Sequence, residues 1–403
     1  MTDNQPVYLD YNATTPLDPR VFEAMREWYA GPPSNSGSGT HVYGQRARDA
    51  VERARQQVAE VLGAGPEEVF FTSGATESNN IAILGLTNFA EQTGRKHILS
   101  TSIEHKAVLE PLDELRRRGF DVELLPVTEG GYVEPDVLKD HLRSDTLLVS
   151  VMHANNETGV LQPLNAIAEL LVETNTLFHT DAAQTFGKDV EELRNLKCDF
   201  ISISSHKIYG PQGVGALYVR RRGAARRPLD SLLFGGGQER GLRPGTIPVP
   251  LVVGLGAAAE LAANEHQTRA SAASRIKEEL LAGLQSVDHH INGALNRSQP
   301  HVLNVSFPGV DSEALMMALK DEIAISNGSA CTSASYDPSH VLLAMGLDED
   351  RISESVRISW GLLAAVGQSE SRIADAVRFS WGPGVSELPF APIARAIEML
   401  RTS

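Results

Sequence analysis

The segment Asp199-Phe-Ile-Ser-Ile-Ser-Ser-His-Lys-Ile-Tyr-Gly-Pro-Gln-Gly213 decides how the chain is read. A short β-branched and aromatic run ends in Ser204, Ser205, His206 and Lys207, just before a Gly/Pro turn, which predicts a buried strand that delivers a lysine at its end. Lysines are placed in this way for Schiff-base chemistry, where an amine on a rigid element holds a carbonyl cofactor and polar neighbours anchor it. A strand-end lysine reaching for solvent is the competing reading, and the segment alone leaves both open.

Upstream, Thr176-Leu-Phe-His-Thr-Asp-Ala-Ala-Gln-Thr185 repeats the pattern, an apolar run that stops at His179 and delivers Asp181 and Gln184. An acid there can cap a helix. It can also meet a requirement of pyridoxal 5'-phosphate (PLP), because a carboxylate facing the pyridine nitrogen keeps that ring protonated and electron-accepting. Asp181 and Lys207, at two strand ends separated by one helix-sized interval, together favour the cofactor reading.

Working outward, strands at 97–99, 122–125 and 147–152 alternate with helices at 107–118, 135–142 and 163–173. Such alternation predicts an α/β fold with a mainly parallel sheet covered by helices on both faces and ligands gathered at the strand C-terminal ends. His105, Asn156, Asp181 and Lys207 all fall at those ends. His105 is either a helix-start histidine with a structural bond or a ring that stacks on a flat cofactor and moves protons. Asn156 sits in a run that turn chemistry alone could explain. In Glu68-Val-Phe-Phe-Thr-Ser-Gly-Ala-Thr-Glu-Ser-Asn-Asn80 a strand turns through Gly74 into a helix, a geometry that suits an anion as well as an ordinary capped turn. The loop Gly235-Gly-Gly-Gln-Glu-Arg-Gly-Leu-Arg-Pro-Gly-Thr246 is a second, weaker phosphate candidate.

Three units are expected: an arm at residues 1–15, a large cofactor-binding domain at 16–262, and a smaller α+β domain at 263–403. A helix in two parts, 251–261 and 269–284, bridges the last two, and 285–300 reads as linker. In the small domain, Cys331 lies among Gly, Ser, Ala and Thr, surroundings that suit a thiol which must reach out and attack; Cys198, at the edge of an apolar run, reads as a packing residue. Arg357 offers a planar fork to a substrate carboxylate or to an interdomain ion pair. With 403 residues and 42% hydrophobic composition a large core is possible, and a formal charge of -15 argues against non-specific nucleic-acid or anionic-membrane binding. No run of membrane-spanning length and no signal peptide stands out, two cysteines make neither a disulfide framework nor a metal finger, and a cytoplasmic protein without a metal is expected.

Seven stretches in order, Leu9-Asp-Tyr-Asn-Ala-Thr-Thr-Pro16, Phe71-Thr-Ser-Gly-Ala-Thr-Glu-Ser78, Glu104-His-Lys-Ala107, Asn155-Asn-Glu-Thr-Gly159, Asp181-Ala-Ala-Gln184, Ser205-His-Lys-Ile-Tyr-Gly-Pro211 and Gly328-Ser-Ala-Cys-Thr-Ser-Ala-Ser335, give the chain a clear resemblance to the cysteine desulfurases, PLP enzymes of the class V aminotransferase group. The resemblance implies a type I PLP fold, a homodimer, and conversion of L-cysteine to L-alanine. By the same resemblance Lys207 carries the cofactor, Asp181 pairs with the pyridine nitrogen, Gln184 bonds the phenolic oxygen, and His105 stacks on the ring. It further assigns the phosphate to Ala75, Thr76, Ser204 and His206, with Thr246 from across a dimer interface, and the substrate carboxylate to Asn156 and Arg357. Cys331 accepts sulfur as a persulfide for delivery to an acceptor protein: an iron–sulfur cluster scaffold, a tRNA-thiolating enzyme or a DNA-phosphorothioating system. A selenocysteine lyase or another class V enzyme is the alternative, sharing Lys207 and Asp181 without needing Cys331. Two stretches depart from the family pattern, Asn35-Ser-Gly-Ser38 ahead of His41 and the tail after Gly361.

Overall fold

The structure is a computed structural model that describes residues 6–221, 228–327, 338–361 and 391–402. Its centre is a seven-stranded sheet. In chain order the strands are β1 (Val7–Tyr8), β2 (Val69–Thr72), β3 (His97–Thr101), β4 (Asp121–Leu125), β5 (Thr146–Ser150), β6 (Leu177–Asp181), β7 (Phe200–Ser204), β8 (Gly215–Val219), β9 (His290–Ile291), β10 (Val302–Ser306), β11 (Ile323–Ala324) and β12 (Ser355–Ser359). The large sheet runs β2-β8-β7-β6-β5-β3-β4. β3 to β7 are mutually parallel, and β8 runs antiparallel to both β7 and β2. The expected mainly parallel α/β architecture is therefore present, with β8 as the reversed strand.

β7 explains why the deciding segment folds as it does. Its alternation sends Ile201 and Ile203 into the core on one face and Phe200 into the core on the other. Each such fully buried side chain contributes about 1.5–3 kcal/mol. Ser202, on the Phe200 face, is tolerated because His179 Nε2 lies 3.0 Å from its hydroxyl, while His179 Nδ1 meets Ser150 Oγ at 2.8 Å. Burial pushes His179 down to about 4, so this ring crosses the core uncharged.

Helices Val42–Leu62 and Val249–Leu284 cover one face of the sheet, and helices Ala75–Leu84 and Lys106–Arg117 the other. Val249–Leu284 is one continuous helix of 36 residues that contains both expected parts, 251–261 and 269–284. At 1.5 Å per residue it spans about 54 Å. Its first half packs Val252, Leu255 and Ala259 under the large sheet; its second half packs Ala273, Ile276 and Leu280 under the C-terminal strands. The boundary expected at 262/263 lies inside it. Among the described residues, the C-terminal strands form an antiparallel sheet in the order β12-β10-β9. Here 285–300 is more than a linker, since it contains β9 and a short turn at Leu295–Arg297. The N-terminal arm is likewise built in: β1 pairs parallel with β11, Val7 opposite Ile323.

Candidate active site

The C-terminal ends of β6 and β7 open into a cavity of about 400 Å³, within the range of small-molecule sites. Asp181 ends β6 and is buried; its Oδ1 accepts from Ala183 N at 2.9 Å and its Oδ2 from Asn79 Nδ2 at 2.7 Å. β7 ends at Ser204 and tightens at once into a 3₁₀ turn, Ser205–Lys207, which turns Lys207 into the cavity. There its Nζ donates to the carbonyls of Asn12 and Ala13, the latter at 2.8 Å. The arm is pinned to the same turn, because Thr15 N and Oγ1 both donate to His206 O, at 2.9 and 3.0 Å.

Opposite the lysine lies the start of helix Ala75–Leu84. Its N-cap is Gly74, at φ 155°, and no side chain caps it. Gly74 passes so close to β8 that a Cβ on Gly215 would lie 2.6 Å from its Cα. This pairing of glycines keeps the first-turn N–H groups of Ala75 and Thr76 at the cavity wall, an arrangement that favours an anion. Ser204 and His206 line the same end. Burial and the positive charges of Lys207 and Lys188 push His206 down to about 4, so the ring is neutral at neutral pH, with Nδ1 3.1 Å from Thr14 Oγ1.

His105 is the N-cap of helix Lys106–Arg117, and its Nδ1 accepts from Ala107 N at 3.0 Å. The ring therefore makes the structural bond at the helix start and also lines the cavity. Gln184 Nε2 donates to Asn12 O at 3.0 Å, while its Oε1 is buried without a hydrogen-bond partner among the described residues. Arg357, buried in β12, donates Nη2 to Asp10 Oδ1 at 2.5 Å and Nη1 to Asn156 O at 3.1 Å. The fork therefore makes the ion pair as well as lining the cavity beside Asn156.

Of the residues expected from sequence, Ala75, Thr76, His105, Asn156, Asp181, Gln184, Ser204, His206, Lys207 and Arg357 line this one cavity. Thr246 does not; it is exposed on the loop that follows Gly245. Cys331 lies outside the described residues. The segments that flank 328–337 are held near the site: Ser326 bridges Arg357 in β12, and Ser339 Oγ donates to buried Glu157 Oε2 at 2.6 Å. Cys198 is fully buried and its thiol is pushed well up by burial, which suits the packing role.

Sequence reasoning missed Asn12 and Ala13, whose backbone carbonyls carry no side-chain signal. It also missed Asn79, which three positions after Thr76 shares its helix face and so could have been found by spacing. Glu104, beside His105, is fully buried, and burial raises its carboxyl to about 8. Among the described residues a group of possible metal ligands, His97, Asp121 and Glu123, lies at the opposite edge of the sheet. Arg143 already supplies counter-charge there, 2.5 Å from Asp121 Oδ2 and 3.7 Å from Glu123 Oε1.

The cavity fits PLP on three observations: an uncapped helix N-terminus for the phosphate, a buried carboxylate on a rigid strand end for the ring nitrogen, and a buried amide oxygen at Gln184 with no partner among the described residues. The family profile described as Aminotransferase class-V matches residues 7–368. A cysteine desulfurase IscS of Anaeromyxobacter dehalogenans is 48% identical over 358 residues, 88% of each chain. Among solved structures, a NifS-like protein superposes with a TM-score of 0.85 at 36% identity, covering 99% of this chain and all of its own. SspA in complex with cysteine superposes at 0.76 with 38% identity, covering 87% of this chain and 98% of its own. With its lysine, aspartate and anion-binding helix in one cavity and similarity of this extent along most of its length, the chain belongs to the class V aminotransferase family and, within it, to the cysteine desulfurases.

Proposed function

We propose that this enzyme desulfurates L-cysteine to L-alanine with PLP held in the cavity by the residues just described, and passes the sulfur through Cys331 to an acceptor protein. The convergence of Lys207, Asp181 and the N-terminus of helix Ala75–Leu84 on one cavity carries the reading. Lys207 Nζ would hold the cofactor, Asp181 would face its pyridine nitrogen and Gln184 its phenolic oxygen, and Ala75, Thr76, Ser204 and His206 would hold its phosphate. Bound there, PLP supplies an electron sink for the carbon that carries the substrate amine. His105 would lie against the ring, and its imidazole or the Lys207 amine would take the Cα proton and later return it. Asn156 and Arg357 hold the substrate carboxylate. Cys331 Sγ, as thiolate, then attacks the substrate sulfur; the new S–S bond forms as the C–S bond breaks, leaving a persulfide on the protein and the carbon skeleton to depart as alanine.

The thiol must stay reduced to act, which suits the cytoplasm. The proposal includes a homodimer, in which exposed Thr246 reaches the phosphate of the other protomer's cavity. It also includes a division of labour in which residues 16–262 hold the cofactor and 263–403 present the cysteine. Among the described residues no helix is long and apolar enough to cross a membrane. The acceptor is a cluster scaffold, a tRNA-thiolating enzyme or a DNA-phosphorothioating system. The test is C331S: it is expected to bind PLP and to shift the visible band on cysteine addition, yet to release no alanine. Substantial alanine from C331S would remove Cys331 from the reaction.

A further inference from the structure

Asp181 ends β6, the turn that follows carries Gln184, and that turn is gripped from outside the large sheet. Gln299, just upstream of β10, is 1% exposed. Its Nε2 donates to Asp189 Oδ2 at 2.8 Å and to Gln184 O at 3.2 Å. Its backbone N–H donates to Gly159 O at 2.9 Å, which ties it to the Asn155–Gly159 loop that also bears Asn156. Both side-chain neighbours are acceptors, so chemistry alone fixes the amide with its nitrogen towards them. Two residues on, His301 Nε2 lies 3.1 Å from Lys188 Nζ on the same turn. Gln184 is thus held at both ends, its carbonyl by Gln299 and its side-chain Nε2 by Asn12 O at 3.0 Å.

We infer that Gln299 is a positioning residue for the desulfurase site: by bridging Asp189 and the Gln184 carbonyl, it sets where the Gln184 side chain meets the phenolic oxygen of PLP. The inference rests on the reading of Gln184 as that oxygen's partner. Gln299 itself does not line the cavity; it acts through a turn of which Ala183 and Gln184 do. A buried amide that donates to two acceptors on one short turn removes the freedom of that turn to slide along the strand end. The C-terminal strands are thereby linked to the electronics of the cofactor site.

The experiment is a pH titration of the visible cofactor band of the holoenzyme, in the absence of substrate, for the parent, Q299L, Q184A and the double variant. Loss of Gln184's contact alters how firmly the phenolic oxygen is held, so Q184A is expected to move the titration midpoint. Q299L is expected to move it in the same direction by about half a unit, the scale of a fraction of one hydrogen bond. In the double variant Q299L is expected to add nothing to Q184A, as for residues acting through one another. A Q299L holoenzyme that titrates as the parent, or a shift fully additive with that of Q184A, overturns the inference while leaving the Gln184 assignment standing. A Q184A enzyme with an unmoved band overturns both. If Q299L does not yield folded protein, Q299N, whose amide is one methylene too short to bridge both acceptors, is subject to the same outcomes.

Discussion

Replacing Arg357 by lysine separates the two tasks assigned to its guanidinium. Arg357 lies mid-strand in β12, opposite Asn304 and bridged on its other side to Ser326, and is 3% exposed. Its fork donates to Asp10 Oδ1 at 2.5 Å and to Asn156 O at 3.1 Å. Lysine keeps the positive charge beside Asp10 and gives up the planar, two-pronged geometry that matches a carboxylate. A charge-assisted hydrogen bond is worth about 1.5–3 kcal/mol. At about 1.4 kcal/mol per factor of ten, its loss raises KM for cysteine by roughly 10- to 150-fold. Because the substrate carboxylate is bound alike in the ground and transition states, kcat is expected to stay within about threefold. Steady-state alanine formation gives both constants, and a melting curve monitors the fold. D10N is the control: it removes the ion pair but leaves the fork, so it should cost stability more than KM. An R357K enzyme with unchanged KM, melting as low as D10N, would mean that Arg357 only ties the arm to β12.

Two further predictions concern buried charge. The Glu104 carboxyl is raised to about 8 by burial from an ordinary value of 4.5, so between those pH values the folded protein holds a proton that the unfolded chain has released. The stability this group contributes is full below pH 4.5 and is lost as pH rises through 8, at up to roughly 1.4 kcal/mol per pH unit. E104Q still offers an acceptor to Met152 N and Thr101 Oγ1 but has no such proton; the melting temperature of the parent is therefore expected to fall relative to E104Q from pH 5 to 8, and a constant difference contradicts the buried-acid account. Arg55 and Glu239 form a two-pronged pair at 2.7 and 2.8 Å, their side chains 5% and 2% exposed, and Glu239 also accepts from Phe71 N. R55M strands that carboxylate and should cost about 3–5 kcal/mol in denaturant unfolding; a loss under about 1 kcal/mol would show that Glu239 finds water or another partner.

The large sheet was legible because β5, β6 and β7 are buried on both faces and so read as apolar runs that end in polar residues. The site was legible for the same reason, since Asp181 and Lys207 sit where those runs stop. Other features left weak signals. β1 has two residues, too few for a period, and its pairing with β11 leaves no mark in the sequence. The middle of the long helix, 263–269, Ala-Asn-Glu-His-Gln-Thr-Arg, has no apolar stripe; it stays helical through the Glu265–Arg269 pair at 2.7 Å and through anchoring of Glu265 by Arg20 at 2.5 Å. The Asn12 and Ala13 carbonyls that receive Lys207 are backbone atoms, invisible to any reading of side-chain types. Gln299, in a stretch read as linker, acquires its role only once the fold brings 299 beside 184.

The amine proposed to carry the cofactor is that of Lys207, although a second half-buried lysine, Lys188, lies on the neighbouring turn with its own ammonium pushed down to about 7 by burial and by the charge of Lys207. Borohydride reduction of the PLP-loaded enzyme, followed by peptide mass mapping, distinguishes them. The account predicts one reduced pyridoxyl phosphate per chain, on the peptide at Lys207, and none in K207A. A label on Lys188, or an undiminished label in K207A, would contradict it.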